Sequence, residues 1–256
     1  MTTKAIRSTA LEQTEIPSGV NSSSFPIPVI SETDGIVTLH FQSEYVQSQM
    51  VSANPDFLAL TYTRTMMAFE LLKPNPRKIA LIGLGGGSLA KWCYRHQPNA
   101  MVTVVEINPH VISLRDKFHI PEEDHRFQIL CDDGSKFVAR HSNELDVLLV
   151  DAFDVDTLPE DLCSEHFYEN CYRVLSPNGL LIVNLCAADE HRASSRIRKS
   201  FHGQVLFSPD KDGNIVVYAC KGELLWPEDA SSDFLTRKRS EFEKKYKLSK
   251  AMSPVD

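Results

Sequence analysis

Four short segments of this chain carry glycines and acids at spacings that suit a nucleoside and a cation. Gly83-Leu84-Gly85-Gly86-Gly87-Ser88-Leu89 places four glycines within five residues, directly after the apolar run Lys78–Ile82. Glycines there let the chain turn tightly and bring backbone N–H groups against a ligand, at the positive end of the helix that follows. Glu106 closes a second apolar run in Val104-Val105-Glu106-Ile107-Asn108, and a carboxylate at such a strand end accepts two hydrogen bonds from a ribose diol. Loop and acid alone fit either a dinucleotide or S-adenosylmethionine. Gly85, Gly87 and Ala90 read as G-x-G-x-x-A, with Glu106 21 residues beyond Gly85.

Cys131-Asp132-Asp133-Gly134-Ser135 separates the two cofactors. Asp133 at the end of a third strand can take an adenine exocyclic amine while Gly134 offers a backbone N–H to the ring, and dinucleotide folds have no regular need for this. The alternative reading is Asp133 as a plain helix N-cap, with Gly134 as turn residue. The fourth segment, Val150-Asp151-Ala152-Phe153-Asp154-Val155-Asp156, holds three carboxylates within six residues. Ligands of open α/β sheets sit beyond the carboxyl ends of the strands. Acids gathered there raise one another's pKa values and can face a cationic substrate. Asp151 directly follows the strand and is the candidate general base.

Such residues need a scaffold that brings several strand ends to one crevice. The runs Lys78–Ile82, Met101–Val105, Phe127–Cys131, Val147–Val150 and Leu180–Leu185 are apolar nearly throughout, as strands buried on both faces must be. Between them lie helical stretches near Ser88–His96, Pro109–Lys117, Ser135–Arg140 and Pro159–Val174. The alternation predicts an α/β, Rossmann-like, doubly wound and mostly parallel sheet. Residues 204–220 read as a C-terminal antiparallel hairpin turning at 211–214. Upstream, Pro28–Ser31 and Ile36–Phe41 flank Asp34-Gly35 and predict a small N-terminal β-hairpin cap. Asp56 is the expected N-cap of a helix through Leu58, Tyr62, Met66, Phe69 and Leu72. The resulting layout is a mobile arm (1–25), the β cap (26–56), the Rossmann-like domain (57–222) and a basic C-terminal helix and tail (223–256).

The 256 residues are 42% hydrophobic and 24% charged, an ordinary globular composition. A net charge of -7 argues against nucleic acid as the main partner. No apolar run approaches the roughly 18 residues of a membrane span, and the N-terminus lacks the apolar core of a secretory signal. The six cysteines form no C-x-x-C pair, so reduced thiols, a cytoplasmic location and no bound metal are expected.

In order, GLGGGSL, VVEIN, CDDGSKF and VDAFDVD resemble the spermidine synthases (polyamine aminopropyltransferases), a branch of the class I S-adenosylmethionine methyltransferase fold. The resemblance spans residues 35–222 and includes Val46-Gln47-Ser48-Gln49-Met50 and Leu60-Thr61-Tyr62-Thr63-Arg64. It implies transfer of an aminopropyl group from decarboxylated S-adenosylmethionine to a small amine, in a homodimer or larger assembly. Gln47, Gly83, Gly85 and Gly87 would hold the donor, Glu106 its ribose, and Asp133 with Gly134 its adenine. Asp151 would be the catalytic carboxylate, with Asp154 and Tyr62 binding the acceptor.

Two departures from the family pattern concern the substrates. Ser88 stands where the family's G-G-G-D-G carries the Asp that anchors the donor amine. Arg64 ends Tyr62-Thr63-Arg64 where Tyr-His-Glu is usual, and could pair with a carboxylate on intact S-adenosylmethionine or on an acidic acceptor. A methyltransferase using intact S-adenosylmethionine, or a non-catalytic nucleoside-binding relative, is therefore the alternative.

Overall fold

The computed structural model describes residues 25–41, 46–153, 158–186, 189–210, 212–222 and 232–248. Nearly all of the expected arm lies outside these residues. The chain enters through an antiparallel sheet of β1 (Val29–Thr33), β2 (Ile36–His40) and β3 (Val46–Val51), in the order β1-β2-β3. Asp34 (φ 52°) and Gly35 (φ 72°) both adopt left-handed conformations, the geometry of a two-residue hairpin turn. Strand β3 was not foreseen. Its sequence Val-Gln-Ser-Gln-Met-Val is half polar with no apolar alternation, yet Ser48 and Met50 alternate inward and are buried.

Helix α1 (Thr61–Met67) runs into a 3-10 turn over Ala68–Leu71. The helix starts after Leu60, not at Asp56, whose carboxylate instead pairs with Arg95. Phe57 and Leu58 are buried but precede the helix, so their apolar spacing reflected core contact rather than helical period.

The larger sheet is built from β4 (Lys78–Ile82), α2 (Ser88–His96), β5 (Met101–Glu106), α3 (Pro109–Ile112), β6 (Phe127–Cys131), α4 (Gly134–Arg140) and β7 (Leu145–Val150). It continues with α5 (Glu160–Cys163), α6 (Glu165–Val174), β8 (Leu175–Cys186), α7 (Glu190–Ser200), β9 (Val205–Pro209) and β10 (Asn214–Lys221). Strand order is β6-β5-β4-β7-β8-β10-β9, with the first five parallel, β10 antiparallel to β8, and β9 antiparallel to β10. Ile79 and Leu81 bury into one core layer, while Ala80 and Ile82 bury into the other. Both faces of β4 are covered, which is why this strand is apolar without alternation.

Two expected helices are shorter than their patterns suggested. Ser164 breaks 159–174 by turning extended and capping α6, where its Oγ accepts from Phe167 N–H at 3.0 Å. Helix α3 ends at Ile112 and the chain continues in turns. Helix α7 was not foreseen. Helix α8 (Ser232–Lys245) is docked against the body: Phe242 is fully buried, with its ring 5.3 Å from that of Trp92. Its charges are only partly solvated, since Lys245 bonds the buried Glu70 at 2.9 Å. Among the described residues no helix is long and apolar enough to cross a membrane.

From β4 the chain moves outward one way through β5 and β6, then returns to start β7 on the other side of β4. That reversal is a topological switch point, the place where open α/β sheets open a ligand crevice. Gly83 follows β4 and Asp151 follows β7, so the glycine loop and the candidate base meet there.

Candidate active site

A cavity of about 240 Å³ lies over this switch point. Its sheet side comes from Gly83, Leu84 and Gly85, and Gln47 and Ser48 of the small N-terminal sheet also line it. Gly83 (φ 95°) and Gly85 (φ 50°) hold left-handed backbone that side chains rarely adopt. Gly87 (φ 69°) is different. It does not line the cavity but packs on Ile120, whose side chain a Cβ would overlap. Its requirement for glycine is structural.

Glu106 is nearly buried at the end of β5. Its Oε2 accepts from Leu84 N–H at 2.8 Å and its Oε1 from Asn108 N–H at 2.9 Å. Burial pushes its pKa up against the pull of these amides, and the net displacement is upward. The carboxylate thus ties the glycine loop to β5, and its four lone pairs leave acceptor capacity for a ligand beyond these backbone amides.

Asp133 is the N-cap of α4. Its Oδ1 accepts from Ser135 N–H at 2.8 Å and from Ser135 Oγ at 2.7 Å. Burial is the largest influence on its pKa and raises it, but Ser135 and Lys136 together outweigh burial and hold the carboxyl below its ordinary value. It caps the helix and lines the cavity at the same time, with Gly134 closed over Ile82.

Asp151 N–H bonds to Ile82 O at 2.9 Å, which carries the β4–β7 pairing one residue past the strand. Its carboxylate is clamped from two sides. Tyr62 Oη donates to Oδ2 at 3.1 Å, and Asn184 Nδ2 donates to Oδ1 at 2.9 Å. Burial raises the Asp151 pKa, and the two donors oppose that rise without cancelling it. Burial and then the charge of Asp151 drive the Tyr62 pKa well above its ordinary value, so the phenol stays protonated as a donor. A buried carboxylate whose pKa is raised, held by two neutral donors, is a stronger base than an exposed one.

The structure therefore brings Gln47, Tyr62, Gly83, Gly85, Glu106, Asp133, Gly134 and Asp151 to one cavity. It does not bring Arg64 there. Two residues along a helix is slightly more than half a turn, so Arg64 leaves α1 on the face opposite Tyr62. Its Nε bonds Leu58 O at 2.9 Å and its guanidinium lies 3.4 Å from Glu243 of α8. Asp154 lies outside the described residues. Asn184 was missed, although a single amide inside Leu180–Leu185 was a visible signal. Among the described residues, no group of three or more His, Cys, Asp or Glu side chains could hold a metal ion.

Strand order, switch point and glycine loop define a Rossmann-like domain of the methyltransferase type. Residues 59–207 match the family described as the spermine/spermidine synthase domain, and the chain belongs to that family. It is 35% identical over 231 residues to a polyamine aminopropyltransferase of Neisseria meningitidis serogroup A, covering 88% of this chain and 87% of the relative. It is 38% identical over 200 residues to the polyamine aminopropyltransferase of Chromobacterium violaceum, covering 77% of each. A crystal structure described as a probable spermidine synthase from Corynebacterium glutamicum shares the fold with a TM-score of 0.69 at 22% identity, over 90% of this chain and 93% of that one. Human methyltransferase-like protein 13 in complex with SAH shares it with a TM-score of 0.59 at 20% identity, over 77% and 96%.

Proposed function

We propose that this chain is an aminopropyltransferase that moves the aminopropyl group of decarboxylated S-adenosylmethionine to a small amine. The observation that carries this reading is the charge of the cavity. Glu106, Asp133, Asp151 and Asp161 line it, and among the described residues no Lys, Arg or His does. A sulfonium donor with an amine tail and an amine acceptor are all cationic, and the cavity complements them. Intact S-adenosylmethionine adds a carboxylate, for which the lining offers no cation. Arg64, the residue expected to supply one, is engaged with Glu243.

In this reading Glu106 holds the ribose, Asp133 and Gly134 the adenine, and Gln47 with Gly83 and Gly85 the remainder of the donor. When bound, the donor supplies a sulfonium, which is already an excellent leaving group. The protein's task is then orientation and removal of one proton from the attacking ammonium. Asp151 takes that proton, with Tyr62 holding the outer carboxylate oxygen. Asp154 holds the acceptor amine, as the resemblance implies. The β cap at 26–56 belongs to the active unit, because it contributes Gln47. None of the six cysteines is in a disulfide, which fits a reducing compartment such as the cytoplasm.

Incubating the protein with each donor and a panel of diamines and polyamines tests this reading. Methylthioadenosine should be released from the decarboxylated donor. S-adenosylhomocysteine from the intact donor would establish methyl transfer, which Ser88 favours by leaving the donor amine without the family carboxylate. Neither product from any pair, with methylthioadenosine still bound, would mark a non-catalytic relative.

A further inference from the structure

Strand β8 is apolar from Leu180 to Leu185 except at Asn184, which is 1% exposed. A buried amide needs partners for both of its halves. Here only the donor half has one: Nδ2 reaches Asp151 Oδ1, while Asn184 Oδ1 is buried with no partner. In the sheet Asn184 sits opposite Val216 of β10 and between Val183 and Leu185, a buried apolar setting in which an apolar residue would carry no such penalty. The contact that distinguishes an amide from a leucine at this position is the one to Asp151.

We propose that Asn184 is a positioning residue that fixes the rotation and the charge of the Asp151 carboxylate, and so sets its capacity to accept a proton. This inference rests on the reading of Asp151 as the base. The geometry assigns the two carboxylate oxygens different roles. Nδ2 can only donate, whereas the Tyr62 hydroxyl can donate or accept. A proton on Oδ2 therefore keeps both contacts, with the phenol turning to accept it, while a proton on Oδ1 weakens the bond from Asn184. Tyr62 lines the cavity, whereas Asn184 holds the carboxylate from within the sheet and is not part of the lining. The groups facing Asp151 are Tyr62 from α1 and Asn184 from β8, with Glu106 at the end of β5, Asp133 before α4 and Asp161 of α5 in the same cavity. Asp210, just past β9, acts on Tyr62.

Two variants of the full chain, Asn184→Leu and Asn184→Gln, separate this role from a structural one. Leucine matches asparagine in side-chain atom count, though not in volume, and removes the unpaired acceptor along with the donor, so Asn184→Leu should fold with a melting temperature close to that of the parent. Its kcat with decarboxylated S-adenosylmethionine and an amine should fall about ten- to hundredfold, the effect of losing one hydrogen bond to a charge. Because the lost donor favours the carboxylate form, the acid limb of kcat should move up by about one pH unit. Methylthioadenosine affinity by calorimetry should be unchanged, and Asn184→Gln should recover part of the kcat and of the limb position. An unmoved acid limb in Asn184→Leu, or an equal loss of methylthioadenosine binding, overturns the proposal. Asp151→Asn is the control: if it keeps full turnover the reading of the base fails, whereas an inactive Asp151→Asn beside a normal Asn184→Leu removes only this inference.

Discussion

Gly83 and Asp151 meet backbone to backbone across the switch point: a Cβ on Gly83 would overlap the Asp151 carbonyl, with Ala152 Cα only 3.1 Å away. Gly83 N–H also bonds Val105 O at 2.9 Å, and Asp151 N–H bonds Ile82 O. Three strand ends are thereby locked together, so the glycine loop and the proposed base form one rigid unit.

Gly83→Ala should damage this unit directly. The left-handed φ costs an alanine about 1–2 kcal/mol, and overlap with a fixed carbonyl adds about 1–3 kcal/mol. The melting temperature should fall by on the order of 10 °C, with loss of turnover. Gly85→Ala should be milder, because a Cβ there meets Ser48 Cβ at an ordinary 3.7 Å. Equal melting temperatures for the two variants would contradict the proposed contact.

Asp151→Asn should separate chemistry from stability. Asparagine keeps the shape and can bond both Tyr62 and Asn184, but it cannot take the proton. Turnover should drop by about 10²–10⁴, with methylthioadenosine binding kept within about tenfold. Stability should change with the opposite sign. A carboxyl whose folded pKa is raised costs stability once it ionises. That cost begins as pH rises through the unfolded pKa and is complete above the folded one. Asp151→Asn should therefore melt higher than the parent at pH 8, with the advantage shrinking as the medium is acidified. A variant that melts lower than the parent at pH 8 would show that Asp151 is not a buried carboxyl of raised pKa.

The sheet was legible in the sequence because burial on both faces leaves runs such as Ile79–Ile82 no polar residue. The glycine loop was legible because its glycines follow such a run. Strand β3 was not, since only Ser48 and Met50 of its residues are buried and the rest carries no apolar pattern. The start of α1 was misplaced because Phe57 and Leu58 are buried before the helix begins. Arg64 shows a different limit. Proximity to Tyr62 in sequence suggested a shared site, but helical geometry sends the two side chains to opposite faces. Asn184 could have been found by asking why an amide interrupts a strand that burial makes apolar.

Arg64→Leu should report on packing alone. The change strands Leu58 O and Glu243 and removes the guanidinium stacked 5.1 Å from the centre of the Phe57 ring. A loss of about 1–3 kcal/mol follows from the unpaired carbonyl, which thermal unfolding would register. The acceptor KM should be unaltered, because no part of Arg64 lines the cavity. A KM raised tenfold without a change in melting would return Arg64 to the substrate site.

Ser88→Asp tests donor choice at the position where this chain departs from its family. Ser88 opens α2 and lines the cavity, and the N-cap before it, Gly87, has no side chain to satisfy the first amides. The first turn carries no acid, so a carboxylate there meets the positive end of the helix and is favoured by about 0.3–1 kcal/mol. Placed at the site of the family Asp, it would supply the charge-assisted bond that serine cannot, worth about 1.5–3 kcal/mol toward an ammonium. The KM for decarboxylated S-adenosylmethionine should fall at least tenfold with kcat little changed. Intact S-adenosylmethionine should gain nothing, because its carboxylate would face a fifth acid with no cation to offset it. If Ser88→Asp instead left the decarboxylated donor unaffected while abolishing S-adenosylhomocysteine release by the parent chain, serine at this position would be the mark of a methyl donor site.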